Sequence, residues 1–322
     1  YYRTLYGAEQ FAAISKGFAT LSTMDQLGIM NDTWALGMGG LRSASDYLDL
    51  AKNVPADADP AIWSDIAGSL SGLDGYYDGD AKRQAKFRKF ALSVLRPAFA
   101  RIGWNAKADD SAPVQLLRTQ LIGTLAGLDD EAVIAEARRR FAAGPDDANA
   151  MPPALRNTIT GIVAYNADAA TWDKLHAMAK AEKTPLIKDS LYSMLSIAKD
   201  KALAQRALEL ALTDEPGATN SAGMIGAVSG SHPDMAFDFA VAHREQVDKL
   251  VDSTSRARFY PGLASGAADV AMVAKIKAFA EAHIAATSRR DAETVMSGIE
   301  TRIKLRAQRK PQVDAWLKKQ GY

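Results

Sequence analysis

Cysteine is absent from the 322 residues of this chain, which excludes disulfides, thiolate metal ligands and a cysteine nucleophile. An excess of charge of either sign is absent too, since 39 basic and 38 acidic residues give a formal net charge of +1. Nucleic-acid-binding domains usually carry a clear excess of Lys and Arg, so this balance argues against that class. No uncharged apolar run approaches the roughly 18–20 residues that a membrane-spanning helix needs.

Two short basic runs stand out against this balanced background. They are Arg138–Arg140 and Arg306–Lys310. We interpret both as solvated helix C-termini, where positive charge complements the helix dipole. A patch that binds a polyanion is the alternative interpretation.

Helical periodicity dominates what is present. One stripe repeats at i, i+3, i+7 and i+11 and predicts the buried face of a helix: Leu27, Met30, Trp34 and Met38. Ser22 and Asp25 fit a capping box at the start of that helix, and Gly39-Gly40 supplies its end. Similar start signals recur at Ser111-Ala112-Pro113 and at Thr184-Pro185.

The pattern predicts an all-α fold of about sixteen helices joined by short turns, with residues 7–322 forming one helical domain. Helix pairs recur every three to four dozen residues, which favours a superhelical stack of antiparallel pairs, as in HEAT and armadillo repeats. A compact multi-helix bundle is the competing architecture. The one strand candidate is residues 1–6, where aromatic residues alternate with others.

No catalytic or metal-binding motif is complete. The four histidines are widely spaced, so the His-Glu-x-x-His zinc pair is missing: His176, His232, His243 and His283. Asp74, Asp78 and Asp80 crowd a loop but lack the spacing and closing Glu of a calcium loop. Ser196–Lys199 matches Ser-x-x-Lys without its companion motifs. We therefore predict that this chain is not itself an enzyme and holds no cofactor.

The opening of the chain resembles a known family. Tyr1–Tyr6 reads Tyr-Tyr-Arg-Thr-Leu-Tyr, and Asp25–Leu36 follows after one helix. This order is similar to the entry into the C-terminal domain of zinc aminopeptidases, the family of aminopeptidase N and the puromycin-sensitive and endoplasmic-reticulum aminopeptidases. Weaker landmarks continue in the family's order as far as Ala315-Trp316-Leu317. The match departs at Gln26, where the family usually has Arg, and at Ser229–Pro233, which lacks the family's Arg-Asn pair.

This resemblance implies a role without catalysis of its own. In such enzymes the zinc, its His-Glu-x-x-His helix and the general base lie in an upstream catalytic domain. The helical C-terminal domain forms a bowl over that site, encloses the active-site chamber and helps to bind and gate peptides. Residues 1–6 would then be the last strand of the preceding β domain. The expected partners are the upstream catalytic and β domains of one longer chain and peptide substrates, with no nucleic acid and no membrane span.

The resemblance also suggests where a peptide would touch the domain. Relatives place aromatic and basic residues on the inner wall, and the loop between Leu73 and Arg83 aligns with some of them. We therefore expect Tyr76 and Tyr77 to contact substrate, together with Arg118 from a helix lining the same cavity. A free-standing helical-repeat scaffold for protein interactions is the alternative function.

Overall fold

The structure is a computed structural model that describes residues 2–144 and 147–322. Those residues form seventeen α-helices and three short 3-10 segments, and no strand lies among them. The helices are α1 Ala8–Gly17, α2 Thr23–Gly39, α3 Asp46–Ala51, α4 Pro60–Asp74, α5 Ala81–Ile102, α6 Ala112–Gly127, α7 Glu131–Ala143, α8 Arg156–Tyr165, α9 Ala169–Ala181, α10 Pro185–Leu195, α11 Lys201–Ala211, α12 Ala218–Ser231, α13 Pro233–Ala242, α14 Arg244–Leu250, α15 Arg256–Leu263, α16 Val270–His283 and α17 Arg290–Lys319. The 3-10 segments are Phe18–Thr20, Gly75–Tyr77 and Ala286–Ser288. The prediction of an all-α fold is confirmed.

Side-chain caps start many of these helices, as the sequence pattern indicated. The Ser22 hydroxyl accepts a hydrogen bond from the Asp25 backbone N–H at 3.2 Å, where α2 begins. Aspartates do the same for α4, α7, α9, α11 and α16: Asp59, Asp130, Asp168, Asp200 and Asp269. Each cap accepts a hydrogen bond from a backbone N–H that has no acceptor within the helix, and it contributes about 1 kcal/mol to the stability of the fold. Pro185 opens α10, where the missing N–H costs no hydrogen bond.

The end of α2 depends on Gly40. Its φ of +82° is strained for any residue that carries a Cβ. A Cβ there would also lie 2.6 Å from Nη2 of Arg309. The Arg309 guanidinium is buried and donates two hydrogen bonds, of 3.1 and 2.9 Å, to the Met38 carbonyl. Gly40 therefore ends the helix and leaves room for the arginine that binds that end.

The chain divides into two compact units. The first comprises Tyr1–Thr158 with Leu305–Tyr322, and the second comprises Ile159–Lys304. In the first unit α4 packs against α2, α5 and α6, and α6 also packs against α7. The last part of α17 joins this core, where the rings of Phe90 and Trp316 meet edge to face at 4.8 Å.

In the second unit each helix packs mainly on its close neighbours in sequence. The pairs are α9 with α10, α11 with α12, α12 with α13 and α13 with α15. Such near-neighbour packing is the organisation of helical repeats, in which each helix pair buries its apolar face against the next pair. The predicted helical stack is thus confirmed. The bowl shape stays a prediction.

The buried face of α2 differs from the predicted stripe. Of the four stripe residues only Met30 is fully buried, and Trp34 is half-buried with its ring edge-on to Tyr47 at 5.1 Å. Gln26 and Thr33 are buried instead, and Gln26 donates its side-chain N–H to the Phe18 carbonyl at 2.8 Å. The hydrogen bond satisfies the Gln26 amide, so this polar side chain can be buried without a large loss of free energy. A prediction based only on apolar residues therefore assigned the wrong face of α2 to the core.

The first basic run ends α7 as predicted, but Arg140 is buried rather than solvated. It donates hydrogen bonds to the carbonyls of Asn149 and Ala150, both at 3.2 Å, and to Glu136 at 2.7 Å. Arg139 also binds Glu136, at 2.7 and 2.8 Å. Hydrogen bonds from Arg139, and then from Arg140, lower the pKa of Glu136 to about 2 against the opposing effect of burial.

The second basic run, Arg306–Lys310, lies in the middle of α17, so its interpretation as a solvated helix end was wrong. Residues 2–6 at the other end of the chain carry no helix or strand, and Tyr1 lies outside the described residues. A strand needs a neighbouring strand to pair with. The assignment of residues 1–6 to a preceding β domain therefore stays a prediction.

Candidate functional site

The loop that the sequence pointed to lies between α4 and α5 in the first unit. The 3-10 segment Gly75–Tyr77 follows α4 directly, and Gly79 turns the chain with a φ of +85°. The Asp80 carboxylate then accepts the Arg83 backbone N–H at 3.2 Å and starts α5. These local signals fix the loop between two helix ends, which gives its tyrosines defined positions.

Tyr77 is 1% exposed and forms the inner part of this loop. Its ring stacks on Phe87 with a centroid distance of 5.4 Å, and its hydroxyl donates to Asp314 at 2.9 Å. Burial raises the pKa of Tyr77 above its ordinary value, and the hydrogen bond to Asp314 raises it further. Tyr76 is half-buried and donates its hydroxyl to the Met38 sulfur at 3.7 Å.

Helix α17 places cationic side chains against the loop. Arg306 donates to the Gly75 carbonyl and lies 3.3 Å from the Asp78 carboxylate. Arg83, at the start of α5, pairs with Asp314. These pairs leave each guanidinium close to a carboxylate that neutralises it.

Lys310 differs from these arginines. It is half-buried, and its ammonium lies 5.2 Å from the centre of the Tyr77 ring. An ammonium in that range is attracted by the aromatic face, by roughly 0.5–1 kcal/mol at exposed sites. Among the residues that the structure describes, no carboxylate forms an ion pair with it. Lys310 is thus a cation whose charge is not matched by an acid in contact.

Arg118 lies elsewhere in the same unit. Its side chain is 3% exposed and donates to the carbonyls of Gly103 at 3.0 Å and Ile102 at 3.2 Å. It also pairs with Asp110. A backbone hydrogen bond from Lys107 and the pairing with Arg118 lower the pKa of Asp110, although burial acts against them. Arg118 therefore binds the C-terminal end of α5 and the loop that follows.

The three predicted substrate residues are not brought together as one cluster. Tyr76 and Tyr77 precede the start of α5, whereas Arg118 binds its end, and the 22 residues between span roughly 30 Å at 1.5 Å per residue. Burial also leaves Tyr77 and Arg118 little surface for a ligand. Their contact with substrate stays a prediction, and Tyr76 is the member with the most exposed surface.

Sequence reasoning missed the contribution of α17 to this surface. Asp314 lies 237 positions from Tyr77, and no local pattern joins them. The only available signal was the basic run that contains Lys310, and it was interpreted as a helix end. We call Tyr76, Tyr77 and Lys310 the loop surface.

No metal centre appears in the part of the chain that the structure describes. No group of three or more His, Asp or Glu side chains there is placed to hold an ion. The residues that the structure describes thus include no set that fits a catalytic zinc site. The helices described also include none with the length and apolar character of a membrane span.

The chain is similar to a family and to several curated proteins. The ERAP1-like C-terminal domain family matches residues 1–301. Aminopeptidase 2 of Candida albicans is 28% identical over 182 residues, which cover 54% of this chain and 19% of that protein. Aminopeptidase M1-B of Oryza sativa subsp. japonica is 24% identical over 268 residues, covering 79% of this chain and 30% of that protein. Alanine/arginine aminopeptidase of Saccharomyces cerevisiae is 25% identical over 213 residues, covering 65% and 25%. The chain spans less than a third of the length of these relatives.

Proposed function

The chain belongs to the ERAP1-like C-terminal domain family, and from this premise we propose that it serves an aminopeptidase by enclosing and binding the peptide. In this proposal a catalytic domain elsewhere in a longer protein supplies the zinc and the general base. The helical domain closes the chamber, gates entry and contacts the part of the peptide far from the scissile bond. The names of the relatives support the aminopeptidase assignment.

One observation supports a specific peptide contact: the ammonium of Lys310 has no acidic partner in contact with it. The residue is half-buried, its ammonium lies 5.2 Å from the centre of the Tyr77 ring, and it has no carboxylate partner among the described residues. A cation without an acid in contact favours an anionic ligand, because no existing ion pair has to be broken. The free C-terminal carboxylate is the anionic group that every unmodified peptide carries. We assign that carboxylate to Lys310, and we expect the Tyr76 phenol to contribute to binding from the loop between α4 and α5.

The size of the effect follows from the exposure of the site. A partly exposed ammonium–carboxylate pair contributes about 1 kcal/mol, which corresponds to roughly fivefold in affinity. The pair should weaken as salt rises, because solvent ions screen charges that are not fully buried. Arg83 and Arg306 contribute less, since Asp314 and Asp78 already neutralise them.

The test uses the full-length protein that contains this chain and compares Lys310→Gln with the parent sequence. We expect KM to rise about fivefold for a long peptide with a free carboxylate. The same peptide with a C-terminal amide should show no change, nor should a single-residue amide substrate. Lys319→Gln removes an exposed lysine from the same helix and serves as the matched control. Tyr76→Phe tests the predicted contribution of the phenol on the same substrates.

Other outcomes would contradict the assignment. An equal rise in KM for the acid and the amide would mean that Lys310 does not bind the carboxylate. No change with any substrate would place the loop surface outside the chamber. Absence of any aminopeptidase activity from the full-length protein would refute the proposed function itself.

A further inference from the structure

An open cavity of about 450 Å³ lies in the second unit, where α14, α15 and α16 contribute to its wall. Small-molecule sites in proteins commonly have volumes of about 300–1,000 Å³. The polar side chains that matter in this wall are Arg244, Asp248, Ser253, Arg256, His283 and Ser288. The loop surface lies in the first unit and shares no residue with the cavity, so a ligand here is independent of the proposed peptide contact.

Two guanidinium groups in this wall share one carboxylate. Nε of Arg244 lies 3.6 Å from Oδ2 of Asp248, and Nε of Arg256 lies 3.6 Å from Oδ1 of the same residue. Both distances are too long for a hydrogen bond, and Oδ1 instead accepts one from the Tyr260 hydroxyl at 2.8 Å. No other acid among the described residues forms an ion pair with either arginine. The wall therefore carries two guanidinium charges against one carboxylate.

Other exposed cations of the second unit are matched one to one. Arg206 contacts the Asp173 carboxylate at 2.6 Å, and Lys275 contacts the Asp238 carboxylate at the same distance. In those pairs each cation has a carboxylate within hydrogen-bond distance. The arrangement at the cavity differs, because it leaves a net positive charge and guanidinium groups that no carboxylate binds directly.

Several donors in the wall are also uncommitted. Arg244 donates through Nη1 to Nδ1 of His283, which leaves its Nε and Nη2 without an acceptor in the part of the chain that the structure describes. Because arginine only donates, the neutral imidazole carries its proton on Nε2, which has no acceptor there either. Arg256 donates through Nε and Nη2 to the carbonyls of Val251 and Asp248 and keeps Nη1 free. Both arginine side chains are 39% exposed, so a ligand has access to them.

We propose that this cavity binds the phosphate group of a small molecule. A phosphate monoester carries up to two negative charges and three strong acceptor oxygens, and guanidinium groups bind such oxygens through parallel hydrogen bonds. The hydroxyls of Ser253 and Ser288 are exposed and form no hydrogen bond within the described residues, so they add two donors. A carboxylate, with one charge and two oxygens, would match less of this wall. The volume of the cavity leaves room for the organic part of a monoester.

The imidazole C–H signals in a proton–carbon correlation spectrum of the whole 322-residue chain test this proposal. The chain has four histidines, so His283→Asn identifies the signal at the cavity by its loss. Phenyl phosphate is titrated at low salt and at a fixed pH above the second phosphate pKa of about 6. The His283 signal should shift saturably, while those of His176 and His232 stay in place. Benzoate, the matched carboxylate, should bind about tenfold more weakly.

Charge variants show whether the arginines of the wall bind the phosphate. Arg244→Gln should weaken the binding of phenyl phosphate about fivefold, as read from the phosphorus signal of the ligand. Arg258→Gln removes an exposed arginine of α15 that lies outside the wall and should change the affinity less than twofold. Arg256 is left unchanged, because its hydrogen bonds hold the end of α14.

Inorganic phosphate separates the two sources of the phosphate group. Tighter binding of phenyl phosphate supports a monoester as the ligand, whereas equal affinities support the phosphate site with the free ion as its ligand. An unmoved His283 signal would overturn the proposal. Equal losses from Arg244→Gln and Arg258→Gln would overturn it too, because binding would then follow the overall charge. Binding of benzoate as tight as that of phenyl phosphate would contradict the choice of phosphate.

Discussion

Replacing Arg118 with methionine separates a structural role for this side chain from a role in binding substrate. Methionine keeps an unbranched apolar stem but removes the guanidinium. That group donates to the carbonyls of Gly103 at 3.0 Å and Ile102 at 3.2 Å, and pairs with Asp110. The variant leaves these acceptors without their partner in a place where the arginine side chain is only 3% exposed.

The expected loss can be worked out from the two carbonyl contacts alone. A hydrogen bond to a charged group contributes about 1.5–3 kcal/mol, and the carbonyls at the end of α5 will regain some hydration. We therefore expect Arg118→Met to lower the free energy of unfolding by about 3 kcal/mol. Loss of the ion pair between Arg118 and Asp110 should lower the free energy of unfolding further.

Urea denaturation followed by tryptophan fluorescence measures the loss. The chain forms two compact units, so the unfolding curve is fitted without assuming a single transition. Hydrogen exchange then shows whether the amides of residues 100–118 lose protection first. Arg101→Met, which removes an exposed arginine at the end of α5, should change stability by less than about 0.5 kcal/mol. A loss from Arg118→Met no larger than that of this control would refute the structural role.

Three further predictions each compare a variant with a matched control. Gly40→Ala should destabilise the protein by about 1–2 kcal/mol, because its φ is positive and the new Cβ would clash with the Arg309 guanidinium. Gly39→Ala has open space around its Cβ and should not destabilise it, so equal thermal midpoints for the two variants would contradict this prediction. Trp172→Ala should lower the free energy of unfolding, measured by urea denaturation, by about 3–5 kcal/mol. Trp34→Ala should lower it clearly less, because Trp34 is only half-buried. Equal losses would show that burial does not determine the loss of stability. The pKa of Glu136 is lowered to about 2, so its stabilising effect is fully present above the unfolded pKa near 4.3 and is lost as pH falls toward 2. The stability difference between the parent protein and Glu136→Gln should therefore be of order 1 kcal/mol at neutral pH and vanish near pH 2; a difference that is independent of pH would contradict the ion pairing.

The sequence predicted the helices well because their starts and ends depend on neighbouring residues. Ser22 reaches a backbone N–H only three positions away, and Pro185 acts on its own turn. The sequence predicted the buried face of α2 less well, because burial depends on which other parts of the chain pack against the helix. The hydrogen bond from Gln26 to the Phe18 carbonyl allowed a polar residue to replace an apolar one.

The candidate site also combines features that the sequence predicts with features that it does not. The loop that carries Tyr76 and Tyr77 was found from the resemblance, and its position between two helices follows from local turn and cap signals. Its separation from Arg118 was not predicted, because a sequence gives no distance between the two ends of a long helix until the partners at each end are known. Geometry assigned the arginine to the end of α5 instead.

By itself, the amino-acid order determined the all-α class, the placement of caps and the lack of a metal-binding motif, since each depends on residue types within a turn or two. Only the tertiary structure decided that the Lys310 ammonium lies near the Tyr77 ring and that the rings of Phe90 and Trp316 meet edge to face. Those pairs are separated by more than two hundred residues. They lie in one region because the last part of α17 belongs to the same compact unit as the first helices, where burial of apolar surface brings together side chains that no periodic pattern connects.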